Sequence, residues 1–248
     1  MKFLIPFIIT IIAGLSTVFG YFAIYIKPKN IKKFISFSLS FSATIMILIS
    51  ITDLIPTSFF TIIENVRIGR ALIIMVLCFF SGAYLINIVD KKIEKYEKNN
   101  DLYKVGILSA IVLMLHNLPE GIATFLSSCS DLKLGVTLSL AIMMHNIPEG
   151  ICIAVPIYYS THDKSRALKT TFLSGMSEVM GALISFIFLS RFITITIISF
   201  VLIMVSGIMI SLAINQIYKE AFKYNKNLAF YLGIVLGFIF ILIQHLLF

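Results

Sequence analysis

Two six-residue stretches carry the densest chemistry in the chain. His116-Asn117-Leu118-Pro119-Glu120-Gly121 and His145-Asn146-Ile147-Pro148-Glu149-Gly150 share one pattern, HNxPEG, repeated 29 residues apart. On a helix, His at i and Glu at i+4 project from one face, with Asn at i+1 flanking them. Imidazole nitrogen, amide oxygen and carboxylate oxygen form a donor set suited to borderline divalent cations: zinc first, then iron(II), cobalt or manganese. Two glutamates can bridge two ions, and with no thiolate in the set, binding is expected to be reversible. Each proline lacks a backbone donor and clashes with the carbonyl one turn earlier. This frees the carbonyls of Leu115 and Met144 and is expected to kink both helices. Broken helix at membrane depth is tolerated where it lines a cavity or is buried in protein. The glycine after each glutamate leaves room for a neighbouring helix or an ion.

Two further acids stand inside apolar segments. Glu178 follows Ser174-Gly175-Met176-Ser177, and Asp53 sits in Thr52-Asp53-Leu54-Ile55-Pro56, closer to an outer mouth. An ionised carboxylate at mid-bilayer costs about 2.5–3.5 kcal/mol. Asp53, Glu120, Glu149 and Glu178 together therefore cost on the order of 10 kcal/mol, comparable to the whole stability of a domain. Such groups persist when paired, neutralised or bound to a cation, so they point to a functional polar centre. The other polar candidates are weaker. His245 falls near the end of the last apolar segment and reads as interfacial, and His162 is a loop residue. Gly233/Gly237 and Ser177/Gly181 are small-xxx-small pairs that mark close helix packing or a dimer contact. Cys78, Cys129 and Cys152 form no CxxC pair and read as core residues.

The elements that position these groups follow from composition. The chain has 248 residues, 59% hydrophobic and 13% charged, with mean hydropathy +1.00. Soluble proteins average roughly 25% charged residues, and a soluble domain of this size hides only about three quarters of its unfolded surface. A cytosolic enzyme, a disordered chain and a disulfide scaffold are excluded. A helix needs about 20 mostly apolar residues to cross the hydrocarbon. Eight stretches qualify: 3–26, 34–57, 70–89, 105–128, 135–159, 168–190, 192–213 and 227–247. They are too long, and lack the alternation, for an outer-membrane barrel. The first reads as a retained helix, since it runs past signal-peptide length into Lys27-Pro28-Lys29.

Of the 20 Lys and Arg, 15 fall after spans one, three, five and seven. The net charge of +8 thus orients helices rather than binding nucleic acid, and places both termini on the extracytoplasmic side of the cell membrane. The segment 90–104, with nine charged residues, is expected as a mobile cytoplasmic loop. No GxxxxGK[ST] motif is present, so transport would not burn ATP.

At the doubled HNxPEG motif the sequence resembles the ZIP (Zrt-, Irt-like protein) family of divalent metal transporters, in its bacterial ZupT-like branch. The resemblance spans essentially residues 1–248 as one transporter domain. It implies an all-α polytopic bundle of eight transmembrane helices with the metal site between helices four and five. It also implies a binuclear centre. One ion would lie between His116, Glu120, His145 and Glu149. The second would lie near Asn117, Asn146 and Glu178, with Glu120 and Glu149 as bridges. Asp53 matches the family's acidic position in span two, at the first site or the entrance. The resemblance further implies uptake of Zn2+, with Fe2+, Mn2+, Co2+ and Cd2+ as further cargo, by an elevator-like movement in a homodimer, with no resident cofactor. One departure stands out: Asn215-Gln216 occupy a place where such relatives carry an acidic pair, which argues against charge-driven passage along span seven.

Two other classes are open to the residues alone. An intramembrane metalloprotease would need HExxH, with histidines at i and i+4; here glutamate holds the i+4 position and the unit is doubled. A metal-free proton-translocating protein explains buried carboxylates but not repeated imidazole–amide–carboxylate clusters.

Overall fold

The computed structural model describes residues 3–96, 101–188, 195–224 and 228–247, and among these no strand occurs. Ten α-helices follow in order: α1 Leu4–Tyr21, α2 Ile31–Ile49, α3 Ile55–Asn65, α4 Ile68–Tyr96, α5 Asp101–Ser130, α6 Leu132–Thr161, α7 Lys164–Phe188, α8 Ile195–Leu212, α9 Tyr218–Tyr224 and α10 Leu228–Leu247. Polar caps set several starts. Asn30 accepts from the Lys33 amide ahead of α2 at 3.0 Å, and Asp163 accepts from Arg166 ahead of α7 at 2.9 Å. These side chains satisfy amide donors that the helix itself leaves unpaired.

Among the described residues, eight apolar helical segments are long enough to cross a membrane, which makes this a multi-pass membrane protein. Two run well past the lengths expected from hydropathy: the second extends over Ile31–Asn65 and the seventh over Thr196–Tyr224. Each is continuous because a π-helical turn joins its two α-helices. At Ser50–Leu54 the Ile55 amide donates five residues back to Ser50, and at Ala213–Ile217 the Tyr218 amide donates to Ala213. Pro119 and Pro148, expected to kink their helices, lie inside α5 and α6, each of which continues as α-helix on both sides of its proline. The charged 90–104 segment differs from expectation as well. Its described residues extend α4 to Tyr96 and begin α5 at Asp101, as Lys- and Glu-rich sequence favours outside lipid; residues 97–100 lie outside the described residues.

The packing repeats with inverted order. α1 packs on α6 as α7 packs on α5; α2 packs on α10 as α8 packs on α4; α5 and α6 pack on each other, and so do α1 and α7. The first three spans and the last three thus take equivalent places around the central pair, running in opposite directions, the arrangement of inverted-topology repeats. Gly14 and Gly175 mark the crossing of α1 and α7, each set against the other's carbonyl oxygen. Gly233 and Gly237 seat α10 on α2 beside Ser40 and Thr44, and Gly181 seats α7 on α5 at Leu118. The small-residue pairs read from sequence therefore serve packing within the chain.

A large apolar cluster, including Leu39, Met46, Leu108, Ile153, Ile157 and Met209, fills the bundle between the doubled motif and the lysine-rich helix ends. Leu72, Ile73, Val76, Leu77, Phe80 and Tyr84 of α4 remain exposed, the surface expected to meet lipid. Of the three cysteines, Cys152 is fully buried, whereas Cys78 and Cys129 are half-buried.

Candidate metal centre

The doubled motif meets itself at the α5–α6 crossing. His116, Asn117, Glu120, His145, Asn146 and Glu149 are all buried. His116 Nε2 lies 3.2 Å from Glu120 Oε1 and 3.7 Å from Glu149 Oε1, and His145 Nε2 lies 3.2 Å from Glu120 Oε1. The two imidazole centroids are 6.3 Å apart. His116, His145 and Glu149 can each bring one ligand atom within 4.8 Å of the others. Zinc bonds to nitrogen and oxygen donors span roughly 2.0–2.2 Å, so small side-chain rotations close this set around an ion.

The donors are also unspent. Among the described residues, Glu120 Oε2, both carboxylate oxygens of Glu149, Nδ1 of both histidines, and Oδ1 of both asparagines are buried without a hydrogen-bond partner. Buried polar atoms are normally satisfied, because desolvation without a partner costs about 1–3 kcal/mol each. Unpartnered N and O atoms on six converging side chains make a ligand set that suits a cation.

The inverted repeat explains how the asparagines are held. Asn146 Nδ2 donates to the Ala13 carbonyl of α1 at 3.0 Å, and Asn117 Nδ2 donates to the Ser174 carbonyl of α7 at 3.2 Å. These are equivalent anchors, one on each flanking helix. Gly150 admits the Thr17 carbonyl of α1 just as Gly121 admits the Glu178 carbonyl of α7. The glycine after each glutamate thus serves close helix approach. Glu178, fully buried, accepts from Asn146 Nδ2 at 3.2 Å and keeps Oε1 unpartnered. Three residues past the crossing glycine, Thr17 in α1 stands where Glu178 stands in α7. Its hydroxyl is buried and unpartnered. Sequence reading missed Thr17 because a lone threonine in an apolar span carries no signal until the contacts of the two flanking helices are matched.

Asp53 is not drawn into this cluster. It sits on the π turn at Ser50–Leu54 and pairs with His245 of α10, Oδ1 to Nε2 at 2.7 Å. Both line one cavity of about 590 Å³ whose lining also includes Glu120, His145, Leu138, Ser199 and Gln244. This cavity lies on the side of the centre toward the chain ends. His245, expected as an interfacial residue, therefore lines the same cavity as Glu120 and His145 of the motif. Asn215-Gln216 fall elsewhere: Gln216 Nε2 donates to Asp90 Oδ2 at 2.6 Å, while Lys104 Nζ pairs with Asp90 Oδ1 at 2.7 Å. A neutral amide here knits span seven to α4 and α5 near the lysine-rich ends.

A family model described as ZIP zinc transporter matches residues 92–244, which takes in both HNxPEG segments, Glu178 and the second π turn. The chain belongs to the ZIP family. Curated relatives extend the likeness over nearly the whole length. The zinc transporter ZupT of Oceanobacillus iheyensis is 36% identical over 252 residues, covering 94% of this chain and 94% of the relative. That of Streptococcus mutans is 36% identical over 256 residues, covering 98% and 97%. That of Clostridium perfringens is 34% identical over 275 residues, covering 99% and 96%. In this ZIP protein the family match and the buried donor cluster coincide in the same central helices.

Proposed function

We propose that this protein moves divalent transition-metal cations, zinc foremost, across the cell membrane without ATP, as one transport domain over residues 1–248. The observation that carries the reading is the convergence of His116, Glu120, His145 and Glu149 at the α5–α6 crossing with their donors buried and unspent. In this reading those four hold the first ion. Asn117, Asn146 and Glu178 take the second, with Glu120 and Glu149 shared between the two. The same N/O set accepts iron(II), manganese, cobalt and cadmium with its affinity ordered by the metal. Membership of the ZIP family and the zinc transporter name of its relatives support the choice of cargo.

The cycle follows from the two sides of the centre. With both termini extracytoplasmic, the cavity that reaches Glu120 and His145 admits an ion from outside. Ligands replace its water stepwise. The cluster beyond is predominantly apolar and cannot replace the ligands of the centre, so release inward requires α5, α6 and their flanking helices to move against the rest, exposing the fixed site to the other side. Lipid and a second copy of the chain are the partners of this cycle.

Zinc flux into proteoliposomes tests the reading. The wild-type protein should show saturable, zinc-dependent uptake, and Glu120→Ala and His145→Ala should each lower it more than about tenfold. Wild-type vesicles without metal-dependent flux would refute transport.

A further inference from the structure

The two helices that flank the centre carry a repeat of their own. Ala13-Gly14-Leu15-Ser16-Thr17-Val18-Phe19-Gly20 of α1 aligns with Ser174-Gly175-Met176-Ser177-Glu178-Val179-Met180-Gly181 of α7, with the same Gly, Ser, Val and Gly at matching places. The contacts match as well. Gly20 admits the Ile147 carbonyl of α6 as Gly181 admits the Leu118 carbonyl of α5. Ser16 donates to the Ala13 carbonyl as Ser177 donates to that of Ser174, and these are the same two carbonyls that anchor Asn146 and Asn117. The match breaks at one buried polar position, where α7 has Glu178 and α1 has Thr17.

Thr17 is fully buried, and its Oγ1 has no hydrogen-bond partner. The cause is local. Thr10, Thr44 and Thr171 each donate to the carbonyl four residues back. For Thr17 that carbonyl belongs to Ala13, which already accepts from Ser16 Oγ at 2.6 Å and from Asn146 Nδ2 at 3.0 Å. Thr124 is also buried and unpartnered, but its counterpart in α6 is the apolar Ile153. Thr17 is instead the counterpart of an acid. Glu178 meets Asn146 of α6. The same two-fold relation sets Thr17 toward Asn117 of α5, whose Oδ1 is unpartnered too, and α1 packs on α5 as α7 packs on α6.

We propose that Thr17 is a ligand residue of the centre, its Oγ1 the neutral oxygen that meets the second ion from α1 as the Glu178 carboxylate does from α7. This rests on the two-ion reading above. The helix-capped alternative, in which the hydroxyl bonds its own backbone, is closed because Ala13 is already taken. The exchange of acid for alcohol has a chemical sense. Cation affinity rises with the number of charged ligands in a site. With threonine in place of a second flanking acid, the second ion keeps Glu178 as its one unshared carboxylate, so it is held loosely enough to leave.

Equilibrium dialysis of zinc with the full-length protein in nanodiscs reads both ions. Thr17→Val removes the oxygen at nearly unchanged shape and should weaken the second zinc about tenfold. The tight first zinc should stay, which reports an intact bundle. Thr17→Ser keeps the oxygen and should bind like the wild type. Thr17→Glu restores the symmetric acid and should tighten the second zinc about tenfold. Without metal, the thermal transition of Thr17→Val should lie at or above that of the wild type, since the hydroxyl removed had no partner to lose; a purely structural threonine predicts a lower one. Wild-type affinity for the second zinc in Thr17→Val, or an equal loss in Thr17→Val and Thr17→Ser, would overturn the proposal. A wild type that binds a single zinc would strike the two-ion reading itself, and the inference with it.

Discussion

Asn117 and Asn146 give their amide protons to carbonyls on α7 and α1 and keep their oxygens free. The residues of the HNxPEG unit thus divide the work. In the proposed function imidazole and carboxylate bind the ion, while the amide anchors to a neighbouring helix and keeps its oxygen free, and glycine lets that neighbour approach. The ligand set also fixes a sign for pH. Carboxylates must be ionised and imidazoles neutral to hold a metal, so protons and zinc compete for the same atoms. Zinc affinity should fall as the pH is lowered, and binding in weak buffer should release protons, read with an indicator dye. Glu149→Gln should release fewer protons per zinc than the wild type; an unchanged count would place Glu149 outside the coordination shell. At this scale the sequence was highly legible. Acids and imidazoles in apolar helices are costly, and a doubled costly unit has few explanations. Thr17 and His245 were not legible, since each gains meaning only from a partner far away in sequence.

The helices meet where side chains are missing. A β-carbon on Gly121 would run into the Glu178 carbonyl, and one on Gly150 into that of Thr17, whereas Gly69 has open space around it. Overpacking such contacts typically costs about 1–3 kcal/mol. Gly121→Val and Gly150→Val should therefore lower the thermal transition in nanodiscs, while Gly69→Ala stays within about 0.5 kcal/mol of the wild type. Equal effects at all three positions would refute the close-approach role. The number and order of the spans were readable from apolar length and lysine placement. The π turns were not. They place Asp53 and Gln216 by inserting one extra residue into a helical turn, and across the bundle the first turn packs on α8 and the second on α2. Hydropathy windows average over that insertion, so the ends of spans two and seven fell short in the sequence reading.

Across the whole molecule, the cavity described above reaches the centre from the end that carries Gln244 and His245, and on the other side of the centre Met46, Leu108, Ile153 and Met209 belong to one buried apolar cluster. Labelling should follow this asymmetry. In a background with Cys78 and Cys129 changed to Ser, a Leu138→Cys thiol should react with a membrane-impermeant maleimide added on the side of the termini, while native Cys152, buried beside Ser109, stays protected. Rapid labelling of Cys152 from that side would contradict the sealed inner half. The consequence reaches past the cargo. Apolar packing on that side opposes the leak of protons and sodium, since burying a bare charge there is costly and the leucines, isoleucines and methionines that would bar it are those that glue the bundle. Mutations that loosen that glue should cost the cell electrical insulation as well as a folded protein.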